Sequence, residues 1–218
     1  EPVYLNAIKN SFVYGGISSL LCLLIGYPMA YILAFSKIKY KGLVLVLIIL
    51  PTWSNMLLRI IAWEKLFLPN SILNMFGISF DLIGTPIAVI IGMISIYLPF
   101  MILPIYTVLE KMDKSLIEAS LDLGLTRFKT FLKVTLPLSI SGVLSGFIMT
   151  FLPAATAFAL PTRLSGGKLQ LIGNIIEIQF KNSFNYNFGS LISLVIIIII
   201  FGMLMIIYKV DSNVETLL

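Results

Sequence analysis

Five apolar runs, each long enough to cross a hydrocarbon core roughly 30 Å thick, fall near residues 12–35, 42–61, 86–109, 138–160 and 189–208. Backbone N–H and C=O groups inside lipid find no water, so runs of this length must satisfy them internally as helices. The predicted fold class is an all-α integral membrane protein, a polytopic bundle of about five spans forming one transmembrane domain over 1–218. Composition agrees, since 59% of residues are hydrophobic and only 11% charged, far from a soluble globular average. The net charge of +5 comes from Lys and Arg in the connecting segments, which suits a membrane protein better than a nucleic-acid binder.

Several chemistries are absent. There is no histidine, which removes the commonest metal ligand and the usual general base together. The single cysteine, Cys22, lies inside the first run, so no disulfide framework or redox role is implied. No Asp or Glu falls within the five runs, so neither a buried proton relay nor a carboxylate cage is visible. Metal-ligand spacing, a nucleophile elbow and a Walker motif are all missing. Gly167-Lys168 does not make a phosphate loop, because position 162 is Thr rather than Gly and Leu169 replaces the required Ser/Thr.

One charged stretch interrupts this pattern. It runs Glu118-Ala119-Ser120, three residues, Gly124, nine residues, then Val134-Thr135-Leu136-Pro137. Ser115 with Glu118 three residues on has the form of a capping box, which predicts a helix start there. Leu116, Ala119 and Leu123 supply one apolar stripe, and Gly124 suits a left-handed helix stop. Thr126 is placed to cap a second helix in which Phe128, Phe131 and Leu132 share a face, leaving Arg127, Lys129 and Lys133 for water, headgroups or a partner. Taken alone, these residues suit either an interfacial hairpin with snorkelling lysines or a compact knob that docks in a groove of another protein.

The spacing resembles the signature of ABC importer permeases: EAA, three residues, Gly, nine residues, I-x-L-P. Ser120 stands for the second Ala and Val134 for Ile. The resemblance implies a type I importer permease fold with 115–137 as a cytoplasmic coupling segment. Glu118, Ala119, Ser120, Gly124, Arg127, Leu136 and Pro137 would then contact the ATPase. It also implies the partners: a cytoplasmic ABC ATPase dimer, a second permease subunit, an extracytoplasmic substrate-binding protein and membrane lipid, with no nucleic acid. ATP would be bound by the partner, so this chain is expected to be no enzyme and to carry no cofactor or metal of its own. The location implied is the inner or plasma membrane of a bacterium.

Basic residues give the orientation. Lys37, Lys39, Lys41, Lys111, Lys114, Arg127, Lys129, Lys133 and Lys209 collect on one side, against Lys9, Arg59, Lys65, Arg163, Lys168 and Lys181 on the other. The excess predicts that the 110–137 loop is cytoplasmic. Five spans then place the N-terminus outside, and a start at Glu1-Pro2 without Met or signal peptide is read as a chain lacking an upstream first span.

Within the spans, Pro28, Pro51, Pro99, Pro104 and Pro153 are expected to interrupt helices, the last breaking the fourth span. Gly142 and Gly146 form a small-xxx-small pair expected to serve close helix packing. Pro51-Thr52-Trp53-Ser54-Asn55 is the most unusual intramembrane cluster. It reads either as polar side chains satisfying the carbonyls that Pro51 releases, or as Trp53 and Asn55 lining the path of a polar or cationic substrate. The long 161–188 segment is expected to hold a short outer helix near Leu169–Phe180, serving as a binding-protein contact or a lid.

The stretch Pro51 to Arg59, Tyr97-Leu98-Pro99-Phe100-Met101, Glu110 to Lys114 and Leu171 to Ile176 are similar to the spermidine/putrescine branch of that family. The likeness implies polyamine import, with Trp53, Asn55, Tyr97 and Phe100 as path residues. Permeases of the same family for thiamine, iron or sulfate remain the alternative, followed by an ion-coupled secondary transporter and then a membrane enzyme.

Overall fold

The computed structural model describes residues 2–69, 71 and 82–215, and most of the described residues lie in helices. Helix α1 (Pro2–Phe35) is followed by α2 (Lys41–Ile49), a 3₁₀ turn (Leu50–Trp53) and α3 (Met56–Leu66). Helix α4 (Pro86–Lys111) leads into α5 (Lys114–Asp122) and α6 (Arg127–Thr130). A π-helical stretch (Phe131–Thr135) connects to α7 (Leu136–Leu138) and α8 (Ile140–Ala155). Then come α9 (Ala159–Leu164), α10 (Ile172–Lys181) and α11 (Tyr186–Glu215).

The bundle is organised along α4, which packs against α1 and α8. Its first half, with Val89, Met93, Ile96 and Tyr97, forms one buried cluster with Ile60 of α3, Leu160 and Leu164 of α9, and Leu171. Its second half, with Met101, Ile102, Ile105 and Leu109, forms another with Cys22, Ala30 and Leu33 of α1. The outer faces stay apolar: Leu5, Leu20, Leu24 and Ile32 of α1 and Leu191, Leu194, Ile198 and Phe201 of α11 are exposed. Water would not tolerate so continuous an apolar surface, whereas lipid tails solvate it.

Each apolar run lies on helix, but two of the expected spans are bent. The 42–61 run breaks between Trp53 and Met56, and its halves lie at 90°. The cause is local: Pro51 has no N–H to donate, Thr52 Oγ1 donates to the Ile49 carbonyl (2.6 Å), and Ser54 Oγ to that of Pro51 (2.7 Å). The Asn55 side-chain oxygen then caps α3 by accepting from Leu57 N–H at 2.8 Å. The 138–160 run is likewise not one helix. Arg127–Leu138 meets Ile140–Ala155 at 64°, and α9 is a separate element. The bend falls at Ser139, whose hydroxyl pairs with that of Tyr27 at 2.8 Å.

The expectation that five prolines interrupt helices holds only for Pro51. Pro28, Pro99, Pro104 and Pro153 lie inside continuous helices. Pro153 falls in the last turn of α8, where Tyr97 Oη donates to its carbonyl at 3.2 Å. Gly142 and Gly146 serve close packing of α8 on α4: a Cβ there would stand 3.0 Å from the Pro104 carbonyl oxygen and 2.9 Å from that of Met101. Helix α4 also runs on through Lys111, so Glu110 occupies its last turn and accepts a hydrogen bond from Tyr106 Oη. The side chain of Lys209, used in the charge count, lies outside the described residues.

Candidate functional site

Two functional features lie at opposite ends of α4. The knob formed by α5 to α7 follows directly from Lys111, whereas α9 packs against the Pro86 end, where Gly84 N–H donates to the Leu164 carbonyl at 2.9 Å.

The knob is built from local signals. Its first helix is capped by Asp113, not by Ser115. The Asp113 carboxylate accepts from Ser115 N–H at 2.9 Å, and this bond holds its carboxyl below the usual range. The capping box assigned to Ser115 and Glu118 is therefore not formed, and Glu118 stands exposed on the helix surface. At the far end Gly124 has φ +83°, with Leu125 N–H bonded to the Ser120 carbonyl and Gly124 N–H to that of Leu121. That is a complete Schellman stop, which needs a left-handed residue at this position. Thr126 caps α6, accepting from Lys129 N–H at 3.4 Å.

The knob is fastened to the bundle on one side and bare on the other. Ser120 Oγ donates to the Ile117 carbonyl (2.7 Å) and pairs with the Thr130 hydroxyl (2.9 Å), so it clasps α5 to α6 and is buried. Phe131 stacks edge-on against Tyr27 and Tyr31 of α1, with centroids 5.7 and 5.8 Å away. Leu136 packs on the same cluster. Outward stand Glu118, Ala119, Arg127 and Pro137, together with Leu116, Leu121, Leu123, Phe128 and Leu132. Leu123 and Phe128 are 85% and 70% exposed. Of the seven coupling candidates, Ser120 and Leu136 face inward, Gly124 shapes the turn, and the other four lie on the bare face.

At the other end a cleft of about 590 Å³ opens between α3, α4, α8, α9 and α10. Tyr97, Met56, Leu57, Pro153 and Phe158 give it an apolar and aromatic wall, and Arg163, Glu177 and Lys181 supply charge. Tyr97 lies about 16 Å along α4 from Pro86 at 1.5 Å per residue, so the cleft reaches to about half the hydrocarbon depth. Arg163 is neutralised by Glu64, Nη1 to Oε2 at 3.3 Å, and Lys181 by Glu177, Nζ to Oε1 at 2.8 Å.

The floor of the cleft is held by Asn174, whose amide nitrogen donates to the Phe158 carbonyl (2.8 Å) and Thr162 Oγ1 (2.6 Å). Its amide oxygen accepts from Leu171 N–H at 2.9 Å, and Ser11 Oγ of α1 accepts from Ile172 N–H at 2.8 Å. The expected outer helix over 169–180 is thus α10, tied inward rather than lying free.

The four proposed path residues do not converge. Tyr97 lines the cleft, while Phe100 lines a separate apolar groove of about 470 Å³ between α4 and α8. Trp53 is 82% exposed at the bend, and the Asn55 side-chain amide oxygen is engaged in capping. Phe158 and Glu177 were missed by sequence reasoning. A Glu–Lys pair at i,i+4 was the available signal for Glu177, but nothing in the sequence brings it to Tyr97.

Comparison with known proteins gives a consistent match. The profile described as "Binding-protein-dependent transport system inner membrane component" matches residues 23–210. The spermidine/putrescine transport system permease protein PotB of Haemophilus influenzae is 37% identical over 97% of this chain and 77% of its own length. PotB of Escherichia coli is 37% identical over 95% of this chain and 78% of its own. Among solved structures, a bacterial ABC transporter involved in import of the acidic polysaccharide alginate superposes with a TM-score of 0.77, covering 96% of this chain and 79% of that one at 14% identity. An inward-facing MetNI methionine ABC transporter superposes at 0.74, covering 98% of both chains at 15% identity. The two superpositions fix the fold.

Proposed function

The chain belongs to the family of binding-protein-dependent transport system inner membrane components, and from that premise we propose that it is a permease subunit of an ATP-driven polyamine importer. The observation that carries the reading is the separation of a bare apolar knob at one end of the bundle from an aromatic, carboxylate-bearing cleft at the other. A cytoplasmic ATPase dimer binds ATP and grips the knob. An extracytoplasmic binding protein delivers the substrate at the α9–α10 end, and a second permease subunit completes the path.

Coupling follows from how the knob is mounted. Phe131 locks it to Tyr27 and Tyr31 of α1, and α7 feeds α8 through the bend at Ser139. Closure of the ATPase dimer displaces a rigid unit, and α1 and α8 rock with it against α4. The cleft lies between α4, α8 and α9, so the same motion opens or closes it. Polyamine selectivity suits the cleft's chemistry. Tyr97 and Phe158 offer ring faces to an ammonium and Glu177 offers a carboxylate. The family relatives named for spermidine and putrescine agree with this assignment.

The assembled transporter in proteoliposomes is expected to accumulate labelled spermidine or putrescine only with ATP and the binding protein. Excess unlabelled polyamine should compete, and thiamine, ferric iron or sulfate should not. Accumulation of one of those three instead would replace the polyamine assignment. Sidedness is tested separately with single cysteines at Lys129 and Lys168, both exposed, against a buried Cys22 background. An impermeant maleimide is expected to label the first only from the cytoplasmic face and the second only from the outer face. Labelling of both from one face would contradict the arrangement.

A further inference from the structure

Lysine's side chain is a butylammonium, the same four-carbon amine arm that putrescine and spermidine carry. Lys181 lays that arm in the cleft, with Nζ 2.8 Å from Glu177 Oε1 and 5.7 Å from the centroid of the Phe158 ring. A carboxylate and an aromatic face around one ammonium make a complete recognition site for a primary amine. We propose that Lys181 is a tethered occupant of the substrate's own ammonium site: it holds the Glu177–Phe158 pair closed until an incoming polyamine amine displaces it.

The mounting of the three groups supports an exchange. Glu177 sits on α10, which is pinned through Asn174 to the Phe158 carbonyl, so carboxylate and ring share one rigid frame. Lys181 is instead the last residue of α10, and its side chain is 68% exposed against 26% for Glu177. The lysine is free to swing outward over the short distance that a substrate amine needs. The charge balance also holds: one ammonium leaves the carboxylate as another arrives, and Glu177 is never left bare in the cleft. Arg163, the other cation at the rim, is occupied by Glu64 and does not compete for Glu177. A small inorganic cation has no alkyl stem to lie along the Phe158 and Tyr97 wall, so it displaces Lys181 poorly.

This inference rests on the polyamine reading above, and the test separates the two. The permease pair with its ATPase, in lipid nanodiscs and without binding protein, is titrated with radiolabelled spermidine. Lys181→Met keeps the stem length and removes the competing charge, and is expected to bind spermidine about fivefold tighter than wild type. Glu177→Gln should bind more weakly than wild type, and adding Lys181→Met to it should give no gain. An exposed i,i+4 pair contributes little to folding, so a merely structural Lys181 would leave affinity unchanged or reduced when replaced. Unchanged or weaker binding by Lys181→Met overturns the proposal, as does a gain that survives in the Glu177→Gln background. If wild-type transporter with its binding protein imports spermidine in either of those cases, only this inference falls. If it imports none, the polyamine reading falls first.

Discussion

Gly173→Val is expected to prevent the chain from reaching its folded state. A Cβ at Gly173 would stand 2.2 Å from the Thr156 carbonyl oxygen and 2.9 Å from that of Ala157. Both obstacles are backbone, and neither segment is free to retreat: Thr156 N–H bonds to the Leu152 carbonyl, and Phe158 is held by Asn174. Relief therefore requires moving α10 away from the end of α8, which breaks the Ser11–Ile172 and Asn174–Thr162 bonds as well. Overpacking of this kind costs about 3 kcal/mol or more, a large share of a typical domain's margin. The variant should run as an aggregate on size exclusion in detergent and lose its cooperative melt. Ile178→Val, on the opposite, partly exposed side of the same helix, should behave as wild type. A monodisperse Gly173→Val with an unshifted melt would show that the α8–α10 contact is not what holds the cleft floor.

Phe128→Asp on the knob is expected to leave the fold intact and cut uptake by an order of magnitude or more. Phe128 is 70% exposed, so little inside the subunit depends on its ring. Buried in a partner's groove, an aromatic anchor of this size contributes about 2 kcal/mol or more, which is roughly thirtyfold in binding, and a carboxylate there adds desolvation cost. Gly124 gives an independent series. Space around it is open, so only its φ of +83° resists substitution. A left-handed position costs an ordinary L-residue about 1–2 kcal/mol and a β-branched one more. Uptake should fall in the order Gly, Ala, Val, while membrane insertion stays constant. Equal uptake by all three would mean that the Schellman turn does not set the knob's shape.

What could be read in the sequence was what short-range physics decides. The apolar runs marked helices because lipid leaves the backbone no alternative, and Gly124 and Thr126 marked a stop and a cap because each acts within one turn. The failures were of two kinds. Some came from competition between neighbours: Asp113 and Ser115 are both able to cap, and the residue two positions earlier is the one that does. At 51–55, side-chain hydroxyls from Thr52 and Ser54 bond to the Ile49 and Pro51 carbonyls at a break that turns an apparent span by 90°. The other kind was tertiary. Pro153 was expected to break its span, but α8 runs through it to Ala155, and the Tyr97 hydroxyl, distant in sequence, donates to the Pro153 carbonyl at the helix end. The cleft draws Met56, Tyr97, Phe158 and Glu177 from four separate elements, and no local pattern ties them together. Trp53 stood out as an intramembrane aromatic, yet the bend carries it to the surface and leaves its neighbours Met56 and Leu57 facing the cleft.

The central claim is that the knob transmits ATP hydrolysis to a polyamine path at the other end of the bundle. Its most direct test is ATP hydrolysis by the reconstituted transporter, measured with empty and with spermidine-loaded binding protein, alongside the amount of ATPase that co-purifies with the permease. Wild type should retain the ATPase and hydrolyse faster with the loaded binding protein. Phe128→Asp and Gly124→Val, though inserted normally, should lose ATPase on purification and show no stimulation. Full retention and full stimulation in both variants would contradict the account.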